Sequence, residues 1–318
     1  MPIMPIVRTV LGDVPPSRLG VTLIHEHLVV DVRPPAGIGC RVPAGGWGGV
    51  RPPEYADDLE TIVGPMLPHL RAVREQGVRT VVDCTPTDLG RHPLAYRTVA
   101  ERTGLHVVMA CGTYRDGWLL DWQKSAPEEE LAEWYGGGLR DGAGFIKLGC
   151  DPDGPSPAEA RCARAAGTAS RRTGAMVACH VGQAGPANRV IEAFEAGGGD
   201  PARFVVVHVQ NEPDPDAHLA LARRGAWVEY DGIGASPPDV QYVVWLRALA
   251  EAGLLGRALI SQDACAYIVG PDGAVERQHR FDRLLGSFVP ALRRAGFSPA
   301  EVDRLLVANP ARALAIGA

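Results

Sequence analysis

A chain of 318 residues, 46% hydrophobic and 22% charged, holds enough apolar material for a folded core, which excludes wholesale disorder. Its formal charge of −5, with acids and bases interspersed, leaves no basic face for nucleic acid and no polybasic patch for a membrane surface. Abundant Gly (38) and Pro (27) point to many shaped loops rather than long helices.

Along the chain, Met1–Arg8 lacks a charged segment followed by a long apolar run, so no secretory signal is expected. No run of about 18 apolar residues predicts a membrane span. The seven cysteines, at 40, 84, 111, 150, 162, 179 and 265, are scattered, form no Cys-x-x-Cys and fit reduced thiols in a cytoplasmic protein.

Val7–Leu19 reads as a short capping hairpin. Eight apolar, β-branched runs follow: Val21–His25, Thr80–Cys84, His106–Cys111, Gly144–Leu148, Ala175–His180, Phe204–His208, Ala226–Tyr230 and Ala258–Asp263. Nearly continuous apolar runs are what parallel strands buried on both faces require. Arg33–Glu54, rich in Pro and Gly, is expected to be a long loop after the first strand. Helical spacing marks Leu59–Gln76, Pro93–Arg102, Pro127–Leu139, Pro157–Thr173, Pro186–Ala196, Asp214–Arg223 and Asp239–Ala252, several with Pro near the start and Gly near the end. Ser298–Leu306 and Asn309–Leu314 read as two short closing helices. This α/β alternation predicts a (β/α)8 TIM barrel with a short N-terminal capping hairpin, as one domain over residues 1–318. A dinucleotide-binding sheet is the competing fold, but no Gly-x-Gly-x-x-Gly follows the first strand.

In such a barrel, chemistry sits at the C-terminal ends of the strands. The first run ends in His25-Glu26-His27, whose two imidazoles share one face of a strand. Taken alone, this pair is the beginning of a metal site, a polar turn, or two satisfied core histidines. Lys147 lies on the fourth run, His180 ends the fifth, His208 the sixth and Asp263 the eighth. Each has a bland alternative: a hydrogen-bonded core histidine, a lysine snorkelling to the rim, an aspartate capping a helix. A shared metal centre accounts for all six at once.

Thr9-Val-Leu-Gly12, Gly20-Val-Thr-Leu-Ile-His-Glu-His-Leu28, Gly144-Phe-Ile-Lys147, His180, His208, Ser261-Gln-Asp263 and Asn309-Pro310 occur in an order and spacing that resembles the phosphotriesterase family of the amidohydrolase superfamily. The resemblance implies two divalent metal ions. His25, His27 and Asp263 would hold the buried one, His180 and His208 the more exposed one. Lys147 would bridge them as N6-carboxylysine, because a free ammonium has no lone pair to donate and a CO2-derived carbamate does. Histidine and carboxylate donors suit Zn first, and also Co, Mn or Fe. The implied reaction is hydrolysis of an ester bond, in a lactone or carboxylic ester, through a metal-bridging hydroxide with Asp263 taking the proton. Phosphotriester turnover is a possible side activity and amide (N-acyl) hydrolysis the alternative. A non-catalytic binding protein has no need of all six ligands, and a mononuclear deaminase-like enzyme usually lacks the bridging lysine.

Substrate contacts are expected from Tyr114, Arg115, Gln183, Tyr230 and Asp231, all just after strand ends, with Gln210 and Asn211 either joining them or capping turns. Family lactonases acting on acyl-homoserine lactones typically carry Asp-Arg where this chain has Tyr230-Asp231-Gly232, closer to the phosphotriesterase-related branch. Trp47, Trp118 and Trp122 would line an apolar leaving-group pocket or cover the top of the barrel. Glu26, on the opposite face from the histidines, reads as a supporting partner. The expected partner is a small-molecule substrate, with a homodimer implied by the family.

Overall fold

The computed structural model describes residues 4–33 and 57–317. The loop expected at Arg33–Glu54, with Trp47, falls almost wholly outside the described residues, as does Cys40.

β1 (Val7–Thr9) and β2 (Gly12–Val14) pair antiparallel as the expected hairpin. Then come β3 (Val21–Asp31), β4 (Val78–Asp83), β5 (His106–Gly112), β6 (Phe145–Gly149), β7 (Val177–His180), β8 (Phe204–Val207), β9 (Trp227–Tyr230) and β10 (Ala258–Ile260). Each is parallel to the one before, so the sheet curls in sequence order as a (β/α)8 barrel does. The expected helices lie between them at Pro93–Thr103, Glu128–Arg140, Pro157–Thr173, Ala184–Ala196, Pro215–Arg223 and Asp239–Glu251.

Two cores follow from the two faces of every strand. Ile24, Val82, Val108, Phe145, Met176 and Leu259 are among the residues filling the barrel interior. Val7, Leu19 and Leu314, from the two ends of the chain, belong to the same cluster and plug the barrel at the N-terminal ends of the strands. The larger cluster lies between the strands and the surrounding helices.

Several elements differ from the sequence expectation. The first outer helix is broken into Leu59–Val63 and Leu67–Glu75 by a 3-10 turn at Gly64–Met66, where Pro65 cannot donate a helical hydrogen bond. The first strand runs six residues further than expected, to Asp31, because β11 (Cys265–Val269) pairs parallel with its outer half. β12 (Val275–Arg277) folds back on β11, and a helix at Leu284–Arg294 follows; neither was expected. The closing helices are one continuous run from Pro299 to Leu314, with a π turn at Arg304–Ala308. Pro310 would clash with the carbonyl four residues back in an α-helix, and the wider turn relieves that clash; Pro290 follows the π turn at Leu284–Phe288 in the same way.

β10 stops at Ile260, and closure onto β3 runs through the next four residues. The His25 amide donates to Ser261 Oγ at 3.1 Å, and the His27 amide to the Ala264 carbonyl at 2.8 Å. The eighth strand therefore reaches the first in two pieces, with Gln262-Asp263 between them.

Candidate metal centre

His25, His27, Lys147, His180, His208 and Asp263 line one pocket of about 200 Å3 at the C-terminal end of the barrel, together with Tyr114. Strand alternation puts them there. His25 and His27 share a face of β3, and His180 ends β7. Lys147 enters from β6, only 2% exposed. Its strand approaches β5 so closely that a Cβ on Gly112, at φ +125°, would lie 1.9 Å from the Lys147 carbonyl oxygen, so only glycine fits there.

The imidazoles are oriented from outside. His27 Nδ1 lies 2.7 Å from Thr85 Oγ1, and His208 Nδ1 lies 2.6 Å from Asp231 Oδ1. His25 Nδ1 shares a short hydrogen bond with Glu229 Oε1 and lies 3.4 Å from Asp231 Oδ2. Each partner holds Nδ1 and so leaves Nε2 directed inward. His25 Nε2 and His27 Nε2 approach Asp263 Oδ1 at 3.7 and 3.3 Å. His25 Nε2 is also 3.3 Å from Lys147 Nζ. On the other side, His208 Nε2 meets His180 Nδ1 at 2.8 Å, and the Tyr114 hydroxyl lies 3.3 Å from the same His180 nitrogen.

Charge follows burial. Desolvation, reinforced by Lys147, pushes His25 well below the usual histidine range. Desolvation with His208 and Lys147 beside it does the same to His180. Both imidazoles are held neutral, with a lone pair to offer. Burial would also lower His208, but the Asp231 carboxylate outweighs it and raises that group. Burial would raise Asp263 and Asp231; neighbouring imidazoles reverse the sign in each, His25 foremost for Asp263 and His208 for Asp231, and both carboxyls end well below the ordinary value. Glu229 goes the other way, raised by burial and by Asp231 next to it.

Among the described residues, His208 and Asp263 are the only non-glycine positions in the left-handed region, at φ 61° and 50°. Such a conformation costs on the order of 1–3 kcal/mol, so the surroundings must impose it. The His208 amide is held by Asp231 Oδ2 at 2.9 Å. Asp263 is bracketed by Glu26, whose carboxylate accepts from Ser261 Oγ, Gln262 Nε2 and the Ala264 amide at 2.8, 3.2 and 2.7 Å. Glu26 thus shapes the turn that delivers Asp263.

The donor set fits a metal. Asp263 Oδ1 is buried with no hydrogen-bond partner, although it faces two imidazole Nε2 atoms. Donor atoms of His25, His208 and Asp263 lie within 4.8 Å of one another. A bound cation would satisfy the orphaned oxygen and the inward lone pairs together. His25, Glu229 and Asp231 are equally close, but all three are fully buried and bonded among themselves or to His208, so they support the centre rather than form a second one.

The expected substrate residues divide. Tyr114 lines the pocket. Arg115 lies behind it, its guanidinium 5.5 and 5.1 Å from the centres of the Tyr114 and Trp118 rings. Gln183 is exposed at the head of the helix Ala184–Ala196. Tyr230 points away from the pocket, fully buried in the outer core with its hydroxyl 3.0 Å from His218 Nδ1, because residues 229 and 231 take the inward face of β9. Asp231 is fully buried beneath His208, out of a substrate's reach. Gln210 also turns to Asp231, at 2.6 Å. Trp118 donates to the Val32 carbonyl and Trp122 packs edge-on against Trp134, so neither lines the pocket. Glu229 and Thr85 are the partners that the strand ends did not reveal, although the inward alternation from Asp231 pointed to Glu229.

The phosphotriesterase family profile matches residues 5–314. The phosphotriesterase homology protein of Escherichia coli is 28% identical over 306 residues, covering 92% of this chain and 97% of that protein. The N-acetyltaurine hydrolase of Danio rerio is 27% identical over 341 residues, covering 96% and 97%. Among solved structures, the organophosphorus hydrolase from Deinococcus radiodurans superposes with a TM-score of 0.81 at 30% identity, over 97% of this chain and 96% of that one. Another, at TM-score 0.82 and 30% identity over 97% and 99%, is described as organophosphate hydrolysis activity engineered from a weak promiscuous lactonase template.

Proposed function

The chain belongs to the phosphotriesterase family and is a hydrolase; from that premise we propose that it is a binuclear-metal-dependent hydrolase of ester bonds, in a lactone or a carboxylic ester, with phosphotriesters as a side activity. The observation that carries the metal is Asp263 Oδ1, buried, unpartnered and faced by two imidazole Nε2 atoms.

In this reading His25, His27 and Asp263 would hold one ion, and His180 and His208 the other. Lys147 would join them as an anionic oxygen ligand once its neutral amine has added to CO2, forming an N–C bond as one C=O π bond opens and losing a proton to solvent. The ions would supply Lewis acidity to the scissile carbonyl and lower the pKa of water toward neutrality. Burial pushes the Tyr114 hydroxyl up to about 12, so it remains a donor at neutral pH, directed at the His180 side where a substrate oxygen would lie. The Asp263 carboxylate, with one oxygen on the ion, would take up or relay the proton released in the attack through the other. Val30, Val32, Pro86, Leu89 and Ile268 complete the pocket wall; they exclude water and fit a short acyl group.

Amide hydrolysis is the second reading, supported by the N-acetyltaurine hydrolase relatives and by Tyr230-Asp231-Gly232 in place of the lactonase Asp-Arg. Six described cysteines are free, which supports a cytoplasmic location. Among the described residues no helix is long and apolar enough to cross a membrane. The family likeness supports a homodimer.

Metal analysis of the purified protein, with a panel of lactones, carboxylic esters, N-acyl amides and phosphotriesters, tests this reading. About two ions per chain are expected, with turnover abolished by chelation and restored by Zn, Co, Mn or Fe. Turnover that survives complete removal of metal would sink the proposal.

A further inference from the structure

A second pocket, of about 550 Å3, adjoins the reaction pocket and shares Asp263 and Cys265 with it. Its character differs. Where the reaction pocket is walled by aliphatic side chains, this one is lined by Gln278, Arg280, Asp282 and Arg283, from the unexpected segment after β12.

The two arginines are not equivalent. The Arg283 guanidinium is tied to Asp239 at 3.2 Å. Its stem crosses Gly234, where an added Cβ would lie 2.4 Å from Arg283 Cγ at a backbone φ of +88°, so a glycine is needed to seat it. Arg283 is thus a fixed wall. Arg280 is exposed on the pocket and makes no ion pair or hydrogen bond among the described residues. Asp282, the one acid of this wall apart from Asp263, pairs with neither arginine among the described residues.

We propose that Arg280 is a specificity-determining residue that binds an anionic group, carboxylate or sulfonate, on the part of the substrate beyond the scissile bond. The proposal rests on the hydrolase reading and extends it. With the carbonyl at the metal centre, a short acyl group faces the aliphatic wall and the remainder enters the arginine-bearing pocket. A guanidinium presents planar paired donors that match a carboxylate or sulfonate edge, and a free one has no internal partner to give up on binding. Gln278 adds a neutral amide donor on the same wall. The substrate class is a short-chain acyl ester or amide of an anionic alcohol or amine, such as an N-acyl amino acid or N-acyl aminosulfonate.

The test compares the metal-loaded wild type with Arg280→Ala and Arg280→Lys on matched pairs. These are N-acetylglycine against neutral N-acetylglycinamide, and an N-acetyl aminoalkanesulfonate against its methyl sulfone analogue. Loss of a charge-assisted contact should raise the anionic-to-neutral KM ratio about tenfold or more in Arg280→Ala, with kcat moving far less and Arg280→Lys recovering part of the loss. The arm showing the larger change identifies carboxylate or sulfonate. An unchanged ratio in both arms overturns the proposal. If the wild type hydrolyses none of these compounds or simple acetate esters, the hydrolase reading fails instead. Calorimetric binding of N-acetylglycine and the sulfonate then decides the arginine: weaker binding in Arg280→Ala upholds it, and equal or absent binding overturns it.

Discussion

The two sides of the candidate metal centre are built to different standards. On the side of β3, β9 and the turn after β10, every donor is held from behind: His25 by Glu229, His27 by Thr85, and Asp263 by the turn that Glu26 shapes. On the side of β7, the partners of the His180 ring among the described residues are other members of the pocket, Tyr114 and His208. Tyr114 itself stands on a loop anchored to buried Asp88, which accepts from the Tyr114 amide at 2.9 Å and Gln123 Nε2 at 3.0 Å. One side is over-determined by the strands; on the other, His208 is held by Asp231 while His180 depends on a loop. The Tyr114 contact can then vary while the ligand geometry on the strand side stays fixed.

Four measurements break or sharpen that contrast. The largest effect is expected from Lys147→Ala, which removes the link between the two sides. Both metals should be lost and turnover should fall by about a thousandfold or more, with short-chain carboxylates restoring part of it. Retained metal would show that the two sides are independent. Next, Glu229→Ala should weaken metal binding about 10–100-fold, because His25 loses the partner that orients it. Glu229→Gln should recover most of that affinity, since its carbonyl can still accept from Nδ1. Titration with a competing chelator measures both, and equal loss in both variants would mean that charge rather than orientation is at work.

On the loop side, Tyr114→Phe should leave metal content intact and reduce kcat/KM only about 3–30-fold, the value of one hydrogen bond. Loss of metal in this variant would erase the distinction between the sides. The last measurement concerns the anchor and reads stability rather than turnover. Burial raises the Asp88 carboxyl to about 7, against the opposing pull of Gln123, the Tyr114 amide and Arg91. An acid raised by folding stabilises most when protonated, so its contribution is complete below its unfolded value near 4 and is lost as pH climbs through 7. Asp88→Asn should therefore gain on the wild type between pH 5 and pH 8, by at most about 3 kcal/mol. Thermal unfolding across that range reads it, and a pH-independent gap would show that Asp88 is not buried as described.

The strand-end residues were legible because a parallel barrel makes each strand an apolar run, so a histidine or aspartate that ends one stands out. Glu229 carries no such mark, because it lies one residue inside β9, where its acid is turned into the barrel beneath His25. The continuation of β3 carries none either, because His25-Glu26-His27 reads as a terminus although the chain runs extended to Asp31. Neighbouring residues of a strand face opposite ways, so with Glu229 and Asp231 turned inward the Tyr230 phenol goes outward to His218. The arginine-bearing pocket was not legible at all. It is assembled from Gly234, Asp239 and the segment after β12, which become neighbours only when the barrel is complete.

The place where the sheet closes on itself is also the place where Asp263 sits. The last joint between β10 and β3 is made largely by side chains, Ser261 to the His25 amide and Glu26 to the turn residues. Assembly and chemistry therefore share one lock. In a chain whose barrel has not yet closed, Asp263 would not be brought to His25 and His27, so the proposed ligand set would be incomplete until the last joint forms. On heating, the same joint should be the first to fail: turnover should vanish while most of the barrel is still folded, with hydrogen exchange at the His25 and His27 amides rising ahead of exchange in β5 through β8.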